Sequence, residues 1–280
     1  TVADAVTIGV MSQPEDICLL RHDGSGKNAF KNPLSFRYLD DNFIESDAVK
    51  IGKTFMDYLK KTKDPRIHVY CSLKDGNTEF DKQFGLPNGY DSHTIADAPS
   101  GSFVGLENTS NFNINTILRL DAPTIFLMPS ETKLLLAEAV LRNWTNGNAE
   151  VLYKEAITSS MKEQEIAYGT QGKITDEEIE TYLAQNLLST ANNTEKLQII
   201  GEQYWVATFI NGYESYANWR RTGYPKLIPT NYSGSMSPGV IPTRLPYPTD
   251  EYSINRANVD TANQQQGADK VTTHIWWDID

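Results

Sequence analysis

The sequence predicts a mostly α-helical fold, in which antiparallel helix pairs carry long irregular loops and an extended, ordered C-terminal tail. Apolar residues recur at helical spacing in five stretches between residues 46 and 221. Gly, Asn, Asp, Ser and Pro are frequent in residues 74–115, and six prolines lie between residues 225 and 248. With 280 residues, 39% of them hydrophobic, the chain can bury a sizeable core as one large domain or two smaller ones.

Charge and cysteine content narrow the class of protein. The formal net charge of −11 and an isoelectric point near 4.9 would repel a phosphate backbone, so we expect no nucleic-acid partner. Cys18 and Cys71 are the two cysteines, and one disulfide or two free thiols both remain open. The chain lacks a long apolar run and begins Thr1-Val2-Ala3-Asp4, so we expect neither a membrane span nor a signal peptide, and Cys18 is not expected to be a lipid anchor.

The first clear helix is predicted from about Ser46 to Lys61, where apolar residues recur at near-helical spacing. It ends before Asp64-Pro65-Arg66. Residues 74–115 follow, with turn signals at Gly85-Leu86-Pro87-Asn88-Gly89 and Pro99-Ser100-Gly101. An ordered loop of this length is more often functional than a simple connection, so we expect any ligand contacts in this segment.

Two further helices are predicted to form an antiparallel hairpin. Leu134, Ala137 and Leu141 fall on one stripe of the first helix, and Ala156 and Ile157 belong to the second. A Gly147-Asn148 turn separates them. Such pairs resemble the helix–turn–helix units of tetratricopeptide arrays, which predicts tetratricopeptide-like packing.

The last two predicted helices differ in their signals. Thr175 and Glu178 form a capping box, which predicts that a helix begins there. A final helix is predicted from about Glu195 to Arg221, about 40 Å long at 1.5 Å per residue. We interpret its aromatic stripe as core, and Gly223 is expected to end it. The stripe consists of Trp205, Phe209, Tyr216 and Trp219.

Motifs of catalysis are absent from the chain. It contains no H-E-x-x-H, Walker loop, G-x-G-x-x-G or EF-hand pattern, so we predict no catalytic residue, no metal ligand, no cofactor and no enzyme activity. Two carboxylates about 5–10 Å apart would suffice for a glycosidase, and with 36 acidic residues this alternative stays open. The histidines stand far apart in sequence, at His22, His68, His93 and His274.

Three segments carry a family resemblance that extends over nearly all of the chain from Arg37 to Trp277. They are Leu134 to Ala139, Glu214 to Pro225 with its Arg-Arg-Thr-Gly-Tyr-Pro ending, and Arg244 to Pro248 followed by Glu251, Asn255, Asn258 and Trp276-Trp277-Asp278. Together they resemble the SusD-like (SusD/RagB) outer-membrane nutrient-binding lipoproteins of Bacteroidota. Asp64-Pro65-Arg66 and the Gly85–Gly89 wording are similar to family text as well.

This resemblance implies a mostly helical, non-catalytic protein that binds an oligosaccharide or other nutrient at the outer membrane. It would be surface-exposed and would deliver its ligand to a SusC-like TonB-dependent transporter. Family members are longer, so residues 1–280 would form a single SusD-like domain without its amino-terminal part. That missing segment would carry the lipid anchor and act as a partner, leaving the helix faces of Leu134 and Trp205 partly uncovered.

Within this domain we expect a helical core at about 46–222, a ligand-loop segment at about 74–115 and an extended segment at about 224–280. Trp276 and Trp277 are interpreted as structural rings that dock the tail onto a core.

The ligand-binding hypothesis rests on residue chemistry. Glycan capture needs flat rings against the sugar face, with amides or carboxylates for its hydroxyls. The irregular segment contains both, at Phe80, Phe84, Asn88, Tyr90 and Asp91. The alternatives from other classes are a glycoside hydrolase and a helical scaffold that binds protein.

Overall fold

The computed structural model describes residues 1–40, 50–90, 93–188, 192–232 and 234–278. Contacts divide the chain into two compact units. Unit 1 comprises Thr1–Pro87 and Asp97–Lys226, and unit 2 comprises Asn88–Ala96 and Leu227–Asp280. The single SusD-like domain stays a prediction.

The predicted mostly helical class is confirmed, because α-helices make up most of the regular structure of the described residues and the strands are short. In unit 1 the helices are α1 (Val2–Ile8), α2 (Pro33–Asp40), α3 (Lys53–Thr62), α4 (Ile67–Tyr70), α5 (Pro129–Leu141), α6 (Ala149–Tyr168), α7 (Asp176–Gln185), α8 (Asn193–Ala207) and α9 (Gly212–Thr222). In unit 2 they are α10 (Thr249–Ile254) and α11 (Arg256–Gln266). The tetratricopeptide-like packing stays a prediction.

Strands are short and form two antiparallel pairs within the described residues. Strand β1 (Cys18–Leu20) pairs with β4 (Thr124–Leu127), and β2 (Cys71–Ser72) pairs with β3 (Asn111–Phe112). Single turns of 3₁₀ helix occupy Pro14–Asp16, Asn28–Phe30, Phe80–Lys82, Ile95–Asp97, Leu106–Asn108 and Gly169–Gly172.

Helix α3 begins later than the sequence predicted. Of the residues assigned to it, 46–49 lie outside the described residues, while Ile51 and Gly52 pair with the loop at Leu86. A Cβ on Gly85 would collide with the Lys53 backbone, so this close approach requires glycine. The loop therefore determines where the helix begins.

The antiparallel hairpin is confirmed in α5 and α6. Ser130 at the start of α5 donates from its backbone N and from Oγ to the Glu163 carboxylate near the end of α6, at 2.9 and 2.6 Å. Leu134 of α5 is buried, contrary to the expectation of an uncovered face. Trp205 of α8 is half-buried and packs against the core, and the expectation that its face is partly uncovered stays a prediction.

The capped start of α7 is also confirmed. Glu178 N donates to Thr175 Oγ1 at 3.2 Å, and Thr175 N donates to Glu178 Oε2 at 2.8 Å. The two hydrogen bonds satisfy the backbone N–H groups of Glu178 and Thr175, as a capping box requires.

The prediction of one long last helix is wrong, because the chain forms two helices there, α8 and α9. Thr208 Oγ1 bonds the Tyr204 carbonyl at 2.7 Å, and Asn211 caps the next helix by accepting from Glu214 N at 3.4 Å. The aromatic stripe is divided accordingly. Phe209 stacks on Phe55 with ring centroids 4.3 Å apart, whereas Tyr216 on α9 is exposed.

A charged pair lies in the core of unit 1. The Asp64 and Arg66 side chains are fully buried. Arg66 Nε and Nη2 donate to the two carboxylate oxygens of Asp64 at 2.9 and 2.5 Å. Arg66 also donates to Ser160 Oγ at 3.0 Å and to Gln203 Oε1 at 2.7 Å, so this pair joins the end of α3 to α6 and α8.

Two of the segments that carry the family resemblance are joined by an ion pair. Arg221 on α9 donates to both oxygens of Glu138 on α5, at 2.7 and 2.6 Å. Gly223 ends α9 with a φ of 70°, as predicted. These residues therefore hold helices together and have an architectural role.

The C-terminal segment of unit 2 contains more helix than expected. The described residues between 227 and 248 form no helix, but α10 and α11 follow immediately. The prolines that exclude helix stop at Pro248, which explains the difference from the coil predicted over 224–280. Trp276 and Trp277 are 77% and 55% exposed, so the expectation that both dock onto a core is wrong.

Cys18 is exposed and Cys71 is buried, and both are free thiols, which decides between the two alternatives left by the sequence. Within the described residues, none of the helices combines the length and apolar character needed to span a bilayer.

Candidate functional site

Two of the predicted ligand residues, Phe80 and Phe84, lie together in unit 1. The Lys60 ammonium is 4.3 Å from the centroid of the Phe84 ring and 5.9 Å from that of Phe80. The Phe84 ring is 39% exposed. Partial burial lowers the pKa of Lys60, and its contact with the rings is of the cation–π kind.

A buried glutamine holds this ring pair in position. Gln83 Nε2 donates to the Asn77 carbonyl at 2.9 Å, and Gln83 Oε1 accepts from Ser110 Oγ at 2.8 Å. Phe84 N donates in turn to Ser110 Oγ at 3.1 Å. The irregular backbone is therefore ordered by side-chain bonds in place of a regular ladder.

The remaining predicted ligand residues do not belong to unit 1. Asn88 and Tyr90 belong to unit 2, where Asn88 is exposed and Tyr90 half-buried. Asp91 lies outside the described residues. The shared use of all five residues for one ligand stays a prediction.

A groove of about 660 Å³ is open on the surface of unit 1, and Phe80 lines it. Buried Ile67 and Tyr182 form its floor. We call it the Phe80 groove, and its lining residues are Lys63, Pro65, Ile67, His68, Thr78, Phe80, Glu177, Glu178, Thr181, Tyr182 and Gln185.

Of the residues that line this groove, only Phe80 was predicted from the sequence to bind a ligand. Glu177 and Glu178 lie in the acidic first turn of α7, where negative charge is favourable beside the helix dipole, and Glu178 also forms the capping box with Thr175. Although partial burial raises the pKa of Glu178, hydrogen bonds from Thr175 hold it below its usual value. Residues of α7 and Phe80 are about a hundred positions apart, so only tertiary packing brings them together.

A separate cluster of carboxylates lies where three helices meet. Glu131 on α5 is 6% exposed, and its Oε1 has no hydrogen-bond partner among the described residues. Burial, Glu214 on α9 and Glu163 on α6 raise the pKa of Glu131 to about 8. Within the described part of the chain, no group of three or more His, Cys, Asp or Glu residues is arranged to hold a metal ion. The cluster therefore bears on stability and carries no metal assignment.

Known proteins that match this chain share its helical architecture. The model of the family SusD-like_2, described as starch-binding associating with outer membrane, matches residues 1–248. No match was found among curated proteins.

Solved structures share the fold over nearly the whole chain. A chitin-binding protein is 29% identical, with a TM-score of 0.78 over 99% of this chain and 58% of its own. A Bacteroidetes SusD-like protein is 23% identical, with a TM-score of 0.80 over 99% of this chain and 64% of its own. A chitin-binding SusD homolog from Flavobacterium johnsoniae is 23% identical, with a TM-score of 0.73 over 99% and 57%. The chain thus spans about three fifths of the length of these structures.

Proposed function

The chain belongs to the SusD-like family, and from this premise we propose that it captures an oligosaccharide or other nutrient at the outer membrane without transforming it. The finer part of the proposal is that the captured ligand passes to a SusC-like TonB-dependent transporter. A lipid anchor and the amino-terminal part of the fold would be supplied by a segment beyond these 280 residues. The names of two solved relatives, both chitin-binding, support a saccharide as the ligand.

The observation that carries the proposal is the ring pair of Phe80 and Phe84. Phe84 is partly exposed, a flat apolar ring stacks on the apolar face of a sugar, and the ammonium of the neighbouring Lys60 can donate to sugar hydroxyls. The binding residues of the proposal are Phe80, Phe84, Asn88, Tyr90 and Asp91.

The test is calorimetric titration of the chain with chitin and starch fragments. We expect Phe84→Ala and Tyr90→Ala each to weaken binding by about threefold to tenfold, which is the size of a lost ring contact of about 0.5–1.5 kcal/mol. Tyr213→Ala is the matched control, because this ring on α9 is 92% exposed and lines neither ring pair nor groove. Unchanged affinity in both Phe84→Ala and Tyr90→Ala would show that these residues do not bind the ligand.

Two other outcomes would replace the function itself. Release of reducing sugar during the titration would favour a glycoside hydrolase that uses a carboxylate pair. Retention of a protein partner with no response to any glycan would favour a helical protein-binding scaffold.

A further inference from the structure

The aromatic rings that line the Phe80 groove are held in place. Phe80 begins a turn of 3₁₀ helix that ends just before Gln83. The side chain of Gln83 is buried, and its Nε2 donates to the Asn77 carbonyl. Tyr182 is buried and accepts at its hydroxyl from Gln203 Nε2 at 2.7 Å, which fixes the ring. A ligand would meet these rings without ordering them first, so little entropy is lost on binding.

The rim of the groove carries polar side chains whose bonding capacity is unused. Within the described residues, the side chains of Lys63, Thr78, Glu177, Thr181 and Gln185 make no hydrogen bond or ion pair. Ammonium and amide groups donate, carboxylate and amide oxygens accept, and hydroxyls do both. These groups suit a ligand that is itself rich in hydroxyls.

The charges on the rim disfavour an anionic ligand. Glu178 is occupied by the cap of α7, and His68 Nε2 lies 3.2 Å from the Lys173 carbonyl. Glu178 stays ionised in the cap, so the lining contains one lysine, Lys63, and two carboxylates, Glu177 and Glu178, and its net negative charge would repel an anionic ligand. The volume of about 660 Å³ lies within the roughly 300–1,000 Å³ of typical ligand sites.

We propose that the Phe80 groove is a binding site for an uncharged oligosaccharide, with Phe80 as the stacking ring and Gln185, Thr181 and Glu177 as hydroxyl partners. The proposal rests on the proposed function and names a site that includes residues of α7. Phe84 faces Lys60 and does not line this groove, which separates the two sets of residues experimentally.

The first test is titration with chitotetraose and maltotetraose. We expect Gln185→Ala to weaken binding by about threefold to tenfold, as for one lost hydrogen bond, and Phe80→Ala to weaken it similarly. Phe80→Tyr keeps the ring and should keep most of the affinity. Tyr213→Ala is again the control.

The outcomes separate the two proposals. Binding that depends on Phe84 and Tyr90 but is unchanged in Gln185→Ala and Thr181→Ala would overturn the groove and leave the proposed function standing. If the unaltered chain binds no saccharide, the proposed function fails and the groove proposal fails with it.

A second measurement places the ligand without altering the groove. A nitroxide is attached at Glu180→Cys, an exposed position of α7 outside the lining, in a Cys18→Ser background. Cys71 is buried, and burial raises the pKa of its thiol, so it should not take the label. Proton signals of bound chitotetraose or maltotetraose should broaden strongly. Equal or stronger broadening from a label at Tyr213→Cys would contradict the site.

Discussion

Replacing Asp64 by asparagine is expected to lower the free energy of unfolding by about 3–5 kcal/mol, because it leaves the buried Arg66 guanidinium without an opposite charge. Burial by itself lowers the pKa of Arg66, but the carboxylate of Asp64 more than offsets it and raises that pKa above its ordinary value. Asparagine retains the oxygen that accepts from Arg66 N at 3.0 Å, so the backbone turn should survive. The decrease in the free energy of unfolding would then measure the effect of removing the charge of Asp64.

Denaturant titration followed by far-UV circular dichroism measures this effect. Asp57→Asn is the matched control, since it breaks the ion pair of Lys53 and Asp57 on the surface of α3 and should cost no more than about 0.5 kcal/mol. The double variant Asp64→Leu with Arg66→Met removes both charges and should recover part of the loss. A cost for Asp64→Asn equal to that of Asp57→Asn would show that the buried pair is not a stabilising element.

Replacing Glu131 by glutamine is expected to stabilise the protein at alkaline pH. Folding raises the pKa of Glu131 from 4.5 to about 8, so the folded state binds the extra proton between these values. The favourable contribution is complete below about pH 4.5 and is lost as the pH rises through about 8. Each pKa unit corresponds to about 1.4 kcal/mol, so we expect Glu131→Gln to add about 2–4 kcal/mol near pH 9 and little near pH 5.

Glu138→Gln on the same helix is the matched control of opposite sign. Burial alone raises the pKa of Glu138, but its bonds to Arg221 and Arg142 hold it below the usual value. Its stabilisation is therefore present at neutral pH and lost in acid, and the variant should lose about 2 kcal/mol at pH 7. Melting curves recorded from pH 5 to 9 measure both effects. If Glu131→Gln and the unaltered chain had the same stability at every pH in this range, folding would not raise the pKa of Glu131.

Local patterns predicted those elements whose signals lie within a few residues of each other. The capping box of Thr175 and Glu178 and the glycine cap at Gly223 occur as expected, because the bonds involved reach only three or four positions along the chain. The hairpin of α5 and α6 was predicted for the same reason. The break at Thr208 was missed, since apolar spacing continues across it.

The candidate site was predictable only in part. Composition alone marks the loop that holds Phe80 and Phe84 as a place for ligand contacts. The contact of both rings with Lys60 depends on how that loop folds back onto α3. The rim of the Phe80 groove on α7 has no local signal, because an acidic first turn has the same sequence whether or not it borders a groove.

Short segments, taken in order along the chain, are enough to predict the helical class, the principal caps and the family resemblance. The packing of distant segments was needed to learn that Arg221 bonds Glu138, that Arg66 is buried beside Asp64 and that Glu131 lies near two other carboxylates. The physical reason is that the energy of a charge depends on its distance from other charges and on its exposure to water. Both are properties of helices packed from distant parts of the chain.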